Sequence, residues 1–332
     1  MKAVVCTEYG GPEKLQITDW PTPEMKPGHV RIDIAARGVA FPDTLVIQGK
    51  YQIQPEVPFV PGGEVAGIIS EVAPDVTGIS VGDSVLAGIG NGAWTEQAVT
   101  EASRIVPVPE GMDLADAAGY LMNHGTTYYA LKVRGNLQPG ETLLVTGAAG
   151  GVGLAAVQLG KLMGARVIAA ASSDEKLALC KEHGADELIN YSDGDLKDQV
   201  KVLTDGKGAD VIYDPVGGDL FDQCLRCINW NGRLLIIGFA DGRIPTAPTN
   251  LPLLKGCSLV GVFYGRFKTE EPEASAALTQ ELVEMYRSGK VRPYISLRLP
   301  FLQAPDAVKI FNNREVLGKI LLTNDKRSGS GL

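Results

Sequence analysis

Residues 143–176 read LLVTGAAGGVGLAAVQLGKLMGARVIAAASSDEK, and their interpretation decides the architecture of the chain. The apolar run Leu143–Val145 predicts a buried strand. The small residues Ala148, Ala149, Gly150, Gly151, Val152 and Gly153 then form an A-x-G-x-x-G turn, and the Ala- and Leu-rich stretch after it predicts a helix. A second apolar run, Arg166–Ala171, completes a strand–helix–strand unit. Small residues between a strand and a helix let backbone amides approach a pyrophosphate at the positive end of the helix. Ala148 stands where the first glycine of the pattern usually lies, which is acceptable if that position needs no positive φ.

About 20 residues beyond the glycines, a carboxylate would bind the ribose 2′-hydroxyl of NAD. The chain instead has Ser172 and Ser173, followed by Lys176. No charge there repels a 2′-phosphate, and the hydroxyls and ammonium can donate to one, so the pattern favours NADPH over NADH. Asp174 is the rival ribose contact, but in SSDEK it reads as a helix-start residue.

The same alternation continues on both sides. Helical SDEKLALCKEHG, strand-like DELIN, ADVIYDPVG, a helix around Phe221–Ile228, GRLLIIGFA and SLVGVFYG together predict right-handed crossovers and a doubly wound parallel sheet, a Rossmann domain. A helical stretch, DLADAAGYLMNHGTTYYALK, leads into it. The first 110 residues differ: short runs such as VRIDIAA and DSVLAGI, broken by Gly, Pro and Asp, predict a β-rich domain with tight turns. The 40 glycines make up about 12% of the chain against a usual ~7%, and many fall in those turns. Beyond residue 268 come a long helical pattern, an extended run, a helix from Ala304 to Phe311 and a last strand, GKILL. The expected division is therefore residues 1–121 with 268–332 as one domain and 122–267 as the nucleotide-binding domain.

Composition excludes several function classes. With 31 Lys and Arg against 39 Asp and Glu in 332 residues, the net charge of −8 gives no general attraction for nucleic acid. No uninterrupted apolar stretch reaches membrane-spanning length and no signal-like segment opens the chain, which suggests a cytoplasmic protein. The five cysteines suit reduced thiols. Cys224 and Cys227 form a C-x-x-C, but with Leu220 and Ile228 they trace one helix face, so core packing is favoured over a redox or metal pair. The tail KRSGSGL reads as a disordered end or an expression scar.

Several segments in order resemble zinc-independent quinone oxidoreductases of the medium-chain dehydrogenase/reductase superfamily: MKAVV, GVAFPDTLVIQGKY, PFVPGGEVAGIISEVAPDV, VGDSVLAG, GTTYYALK, GAAGGVG, DPVGG and GKILL. The resemblance covers essentially the whole chain. It implies a GroES-like catalytic domain built from both chain ends, a Rossmann coenzyme domain between them, and a homodimer or homotetramer. Zinc-dependent members carry G-x-C and G-H-E where this chain has Gly38-Val39-Ala40 and Gly62-Gly63-Glu64, and no cysteine occurs between Cys6 and Cys180. No metal site is expected, and His29, His124 and His183 read as single structural or surface residues.

The resemblance also places Thr126 near the nicotinamide, and Lys176 and Tyr191 at the 2′-phosphate. It puts Arg314 at the same adenosine end, with a surface charge an equal alternative. Phe239 and Phe263 follow strands at the carboxyl edge of the sheet, where ligands bind, with core packing as the alternative. Ala40 replaces the usual Asn of the family and leaves a more apolar pocket. Tyr51 matches the tyrosine that orients substrate or supplies a proton in related enoyl-thioester reductases, and simple packing is its even alternative. Asp43 is also retained. The expected activity is NADPH-dependent reduction of a quinone or an α,β-unsaturated carbonyl, a small-molecule substrate. An enoyl-thioester reductase and an NADPH-binding protein of weak activity remain the alternatives.

Overall fold

The computed structural model describes residues 1–324, so the tail KRSGSGL lies outside the described residues. The chain divides into two compact units, Met1–Met122 with the segment from Pro293 onward, and Asn123–Arg292. No described helix is long and apolar enough to cross a membrane.

The strands in chain order are β1 (Lys2–Cys6), β2 (Leu15–Asp19), β3 (His29–Val39), β4 (Glu64–Val72), β5 (Ser84–Gly88), β6 (Gln97–Glu101), β7 (Ile105–Pro107), β8 (Thr142–Val145), β9 (Arg166–Ala171), β10 (Glu187–Asn190), β11 (Ala209–Asp214), β12 (Ile228–Ile236), β13 (Ser258–Gly261), β14 (Ile295–Pro300) and β15 (Lys319–Thr323).

The first unit is built on β3. Val30, Ile32, Ile34 and Ala36 alternate inward along it and are fully buried, the period-two pattern of a half-buried strand. Its first half pairs with β6 and its last four residues pair antiparallel with β15, while β4 runs along it throughout. The sheet order is β14-β15-β3-β4-β5-β7, with β1 and β2 forming a separate pair. Arg37, fully buried on β3, donates to the carbonyls of Ala93 and Thr95 and to Asn324 Oδ1, and its guanidinium lies 4.5 Å from the centre of the Phe301 ring. One side chain therefore fastens the Trp94 loop and the chain's return to the sheet.

The second unit is a six-stranded, wholly parallel sheet of order β10-β9-β8-β11-β12-β13. Numbered within the unit this is 3-2-1-4-5-6, the doubly wound order whose direction reverses between β8 and β11. The helix Gly151–Leu162 ends in a Schellman motif: the Ala165 amide bonds Gly160 O, the Gly164 amide bonds Lys161 O, and Gly164 takes a φ of +85°. Cys224 and Cys227 are fully buried in the core, on the helix Gly218–Cys227. Burial pushes both thiols up, that of Cys227 to about 12.

The structure corrects the expected boundary at residue 268. The helices Tyr264–Glu270 and Pro272–Arg287 belong to the second unit, which extends to Arg292. Phe267 stacks on Tyr129 at 4.1 Å, the Tyr128 hydroxyl donates to Glu281 at 2.6 Å, and Lys132 pairs with the same carboxylate. An amphipathic pattern fixes which face is buried but not which core buries it. The single helical stretch expected over 113–132 is also divided, into Leu114–Ala117, Leu121–Tyr128 and a π-helical turn at Tyr129–Arg134. At Gly119 between the first two, a Cβ would lie 2.8 Å from Ile295 Cδ1.

Leu282 is fully buried on the helix Pro272–Arg287. Leu282→Ala should cost about 2–5 kcal/mol, read as a lower urea midpoint for the full-length protein.

Candidate functional site

The turn after β8 is shaped by close backbone approach. Gly147 takes the positive φ, +54°, while Ala148 does not, so an alanine there carries no strain. The Ala148 amide bonds Ala170 O at 3.1 Å, pinning the turn to β9. Gly150 caps the helix, and the Leu154 amide makes the first bond back to its carbonyl at 2.8 Å. The amides of Gly151, Val152 and Gly153 therefore precede the first intrahelical bond and form a donor set at the positive helix end.

The glycines have different reasons. A Cβ on Gly153 would lie 2.3 Å from Gly147 O and 2.9 Å from Ala148 Cα, so the helix can start against the turn only without a side chain. A Cβ on Gly150 would meet only Gly147 O, at an ordinary 3.4 Å, and its φ of −75° is one any residue adopts. Nothing inside the chain demands glycine at Gly150. Open space over helix amides is what a pyrophosphate requires, and the turn fits one.

The adenosine end is set by strand register. Ala171 of β9 pairs with Asn190 of β10, which places Ser172 beside Tyr191 one step further along the carboxyl edge. Lys176 Nζ donates to Ser172 Oγ at 3.2 Å, and Ser192 Oγ donates to Ser172 O at 3.0 Å. Ser173 is the N-cap of the helix Asp174–Glu182, accepting from the Lys176 amide at 3.4 Å. Asp174 is the first residue of that helix, and its carboxylate accepts from Asn190 Nδ2 at 3.1 Å. Ser172, Ser173, Lys176 and Tyr191 are thus brought to one corner.

Two buried polar side chains, Thr127 and Asp214, hold this edge. Thr127, rather than its half-buried neighbour Thr126, is fully enclosed: its hydroxyl donates to Val152 O at 3.2 Å and lies 2.9 Å from the Tyr213 hydroxyl. The helix Leu121–Tyr128 is thereby tied to the helix Gly151–Leu162 and to β11. At the switch point Asp214 accepts from Thr146 Oγ1 at 2.6 Å and from the amides of Val216 and Gly217 at 3.0 and 3.1 Å. Its burial pushes the carboxyl up from the usual range. The D-P-V-G-G run was the available signal for it. Phe239 and Phe263 follow β12 and β13; Phe239 is half-buried against Gly217, and Phe263 is 47% exposed.

In the first unit Tyr51 is half-buried against the core, and burial together with the charge of Asp43 pushes its phenol up. Asp43 Oδ2 accepts from the Ala40 amide at 2.8 Å. Glu64 accepts from Lys319 Nζ at 2.8 Å and from the Met122 amide at 2.9 Å. Arg314 lies in the turn after the helix Ala304–Asn312 with a φ of +60°. Among the described residues, no group of three or more His, Cys, Asp or Glu side chains could hold a metal ion. His29 bonds Pro27 O, His124 bonds Gln158 Oε1 and His183 bonds Leu179 O.

Residues 26–110 match the family model of the alcohol dehydrogenase GroES-like domain, and residues 151–280 that of zinc-binding dehydrogenases. A quinone oxidoreductase-like protein 2 homolog of Nematostella vectensis is 41% identical over 325 residues, covering 97% of this chain and 88% of that protein. A mycobacterial structure complexed with NADPH superposes with a TM-score of 0.92 at 33% identity, covering 97% of this chain and 100% of that one. The Escherichia coli quinone oxidoreductase complexed with NADPH gives 0.92 at 28% identity, with the same coverage.

Two glycine substitutions separate the roles assigned above. Gly153→Ala should lower stability by about 1–3 kcal/mol through overpacking. Gly150→Ala should change stability by less than about 1 kcal/mol, the reduced freedom of the unfolded chain offsetting alanine's poorer fit at an N-cap. Thermal melts of the protein without nucleotide check both.

Proposed function

Because the chain belongs to the quinone oxidoreductase family of the medium-chain dehydrogenase/reductase superfamily, we propose that it is an NADPH-dependent, metal-independent reductase of quinones or other α,β-unsaturated carbonyl compounds. The observation that carries this reading is the corner at Ser172: hydroxyls and the Lys176 ammonium stand where a carboxylate would repel a 2′-phosphate.

NADPH, when bound, supplies the reducing equivalents. The chain's part is binding and orientation. The amides of Gly151, Val152 and Gly153 would take the pyrophosphate and Gly150 would leave room for it, with Ala149 buried in the turn before them. Lys176 and Tyr191 would take the 2′-phosphate beside Ser172 and Ser173, with Lys176 giving a charge-assisted bond. Thr126, Phe239 and Phe263 are proposed on the nicotinamide side, and Arg314 at the adenosine end. Tyr51, neutral at pH 7, would donate a proton to an enolate formed from a conjugated carbonyl. A quinone needs less help, because aromatisation drives its reduction.

The donor set does not fit the zinc that the matched family name suggests. Ala40 and Gly63 offer no side-chain ligand, and the carboxylate of Glu64 is engaged by Lys319 and the Met122 amide. We also propose a homo-oligomer. The outer strand β13 leaves an open edge, and Leu253, Leu254 and Trp230 are 80%, 69% and 66% exposed close to it in the chain or in space.

The test is NADPH oxidation measured across quinones, enones and enoyl thioesters, with NADH as control. Turnover of quinones or enones with NADPH supports the reading, and a clear NADH preference overturns the cofactor assignment. Lys176→Ala should weaken NADPH binding roughly 10- to 150-fold, the worth of a charged hydrogen bond, and leave NADH binding unchanged by fluorescence titration. Tyr51→Phe should slow enone reduction more than quinone reduction.

A further inference from the structure

Behind the end of β3 lies a cluster of charges that neither cofactor binding nor the donor role of Tyr51 uses. Asp43, Glu64 and Lys319 are 6%, 3% and 2% exposed. They come from three distant parts of the first unit: the helix Phe41–Ile47, β4 and β15. The space is tight, since a Cβ on Gly38 would lie 2.4 Å from Glu64 Oε2 and 2.9 Å from Lys319 Cε. Asp43 accepts from the amide of Ala40 at 2.8 Å. The carboxylate that pins the start of its own helix is therefore enclosed with Glu64 of β4 and Lys319 of β15, whose charges act on it.

Capping a seven-residue helix does not require a buried charge, because a neutral Ser or Asn accepts the same bond at less desolvation cost. The cluster holds two carboxylates and one ammonium, so full ionisation leaves one uncompensated negative charge. The titratable groups facing Asp43 are Lys319 from β15, Glu64 from β4 and Tyr51 from the segment after the helix. Burial pushes the Asp43 carboxyl up to about 6, against the pull of the Ala40 amide and Lys319. Tyr51 is mechanically close to this anchor. The amides of Gly49 and Lys50 bond back to Val46 O and Leu45 O, so the chain reaches Tyr51 directly from the helix that Asp43 anchors.

We propose that Asp43 is a positioning residue for the reaction: as a carboxylate balanced by Lys319, it holds the Ala40 amide at the start of its helix and thereby fixes the helix that presents Tyr51. This rests on the proposed donor role of Tyr51. The ionised carboxylate makes the stronger bond to the Ala40 amide. Enone reduction should therefore rise with pH through about 6 as Asp43 loses its proton. The same charge holds the Tyr51 proton more tightly, so removing it should make the phenol ionise at lower pH.

The experiment uses the full-length protein and Asp43→Asn, which keeps the shape and an acceptor but loses the charge. Asp43→Ser is a second neutral variant should the first fold poorly. The first readout is the ultraviolet tyrosinate titration, taken as the difference between each protein and its Tyr51→Phe counterpart. The second is kcat/KM for an enone from pH 5 to 8 at saturating NADPH. Expected are a Tyr51 transition displaced to lower pH, loss of the inflection near pH 6, and a fall in kcat/KM for the enone on the order of ten- to a hundredfold. An unchanged Tyr51 transition together with an unchanged pH profile would reduce Asp43 to a helix cap and overturn the proposal. If no acceptor is turned over by the unmodified protein, the reductase reading fails, and the tyrosinate titration still decides whether Asp43 acts on Tyr51.

Discussion

The nucleotide-binding edge depends on one approach distance. The helix Gly151–Leu162 begins where Gly153 lies against the carbonyl of Gly147, closer than any side chain allows. That contact aims three helix amides outward from the carboxyl ends of β8 and β9. The remaining parts of the edge are arranged about this helix. Thr127 bonds its first turn at Val152 O, and Asp214 draws the chain after β11 into a turn through the amides of Val216 and Gly217. Each contact satisfies a buried polar group, which would otherwise cost more than the bond contributes.

The first unit solves a different problem, that of closing a β-rich layer from segments at opposite ends of the chain. Its means are buried charges. Arg37 reaches carbonyls on the Trp94 loop, and burial pulls its guanidinium down only to about 9, so it stays charged at neutral pH. Lys319 and Glu64, 255 residues apart, pair in a dry interior. A buried pair is weak evidence of net stability, because desolvation offsets the attraction. It is stronger evidence of registry, since a misplaced β15 would leave both charges without a partner.

The parts of the site that were legible in the sequence are those whose cause is local. Gly150 to Gly153 announce a tight strand-to-helix turn because the strand before it and the helix after it are contiguous in the chain. That Ser172 and Lys176 lie together was legible for the same reason, since they stand one βαβ unit further on at the start of the next helix. Thr127 was not distinguishable from Thr126, since adjacent positions of a helix face different surroundings and only packing says which is enclosed. The tie between Lys319 and Glu64 had no local signal at all. Nor did the destination of the helix Pro272–Arg287, whose apolar stripe is equally suited to either core.

The sequence alone thus determined the two architectures, the parallel sheet and its phosphate turn, because hydrophobic period and glycine spacing are properties of neighbouring residues. It also determined that Ala40 and Gly63 bring no metal-binding side chain. The tertiary structure decided which unit receives the helices after β13, which threonine is buried, and that Asp43, Glu64 and Lys319 share one enclosure. Those outcomes depend on long-range packing and on the desolvation of charges, which take their values only when distant segments meet.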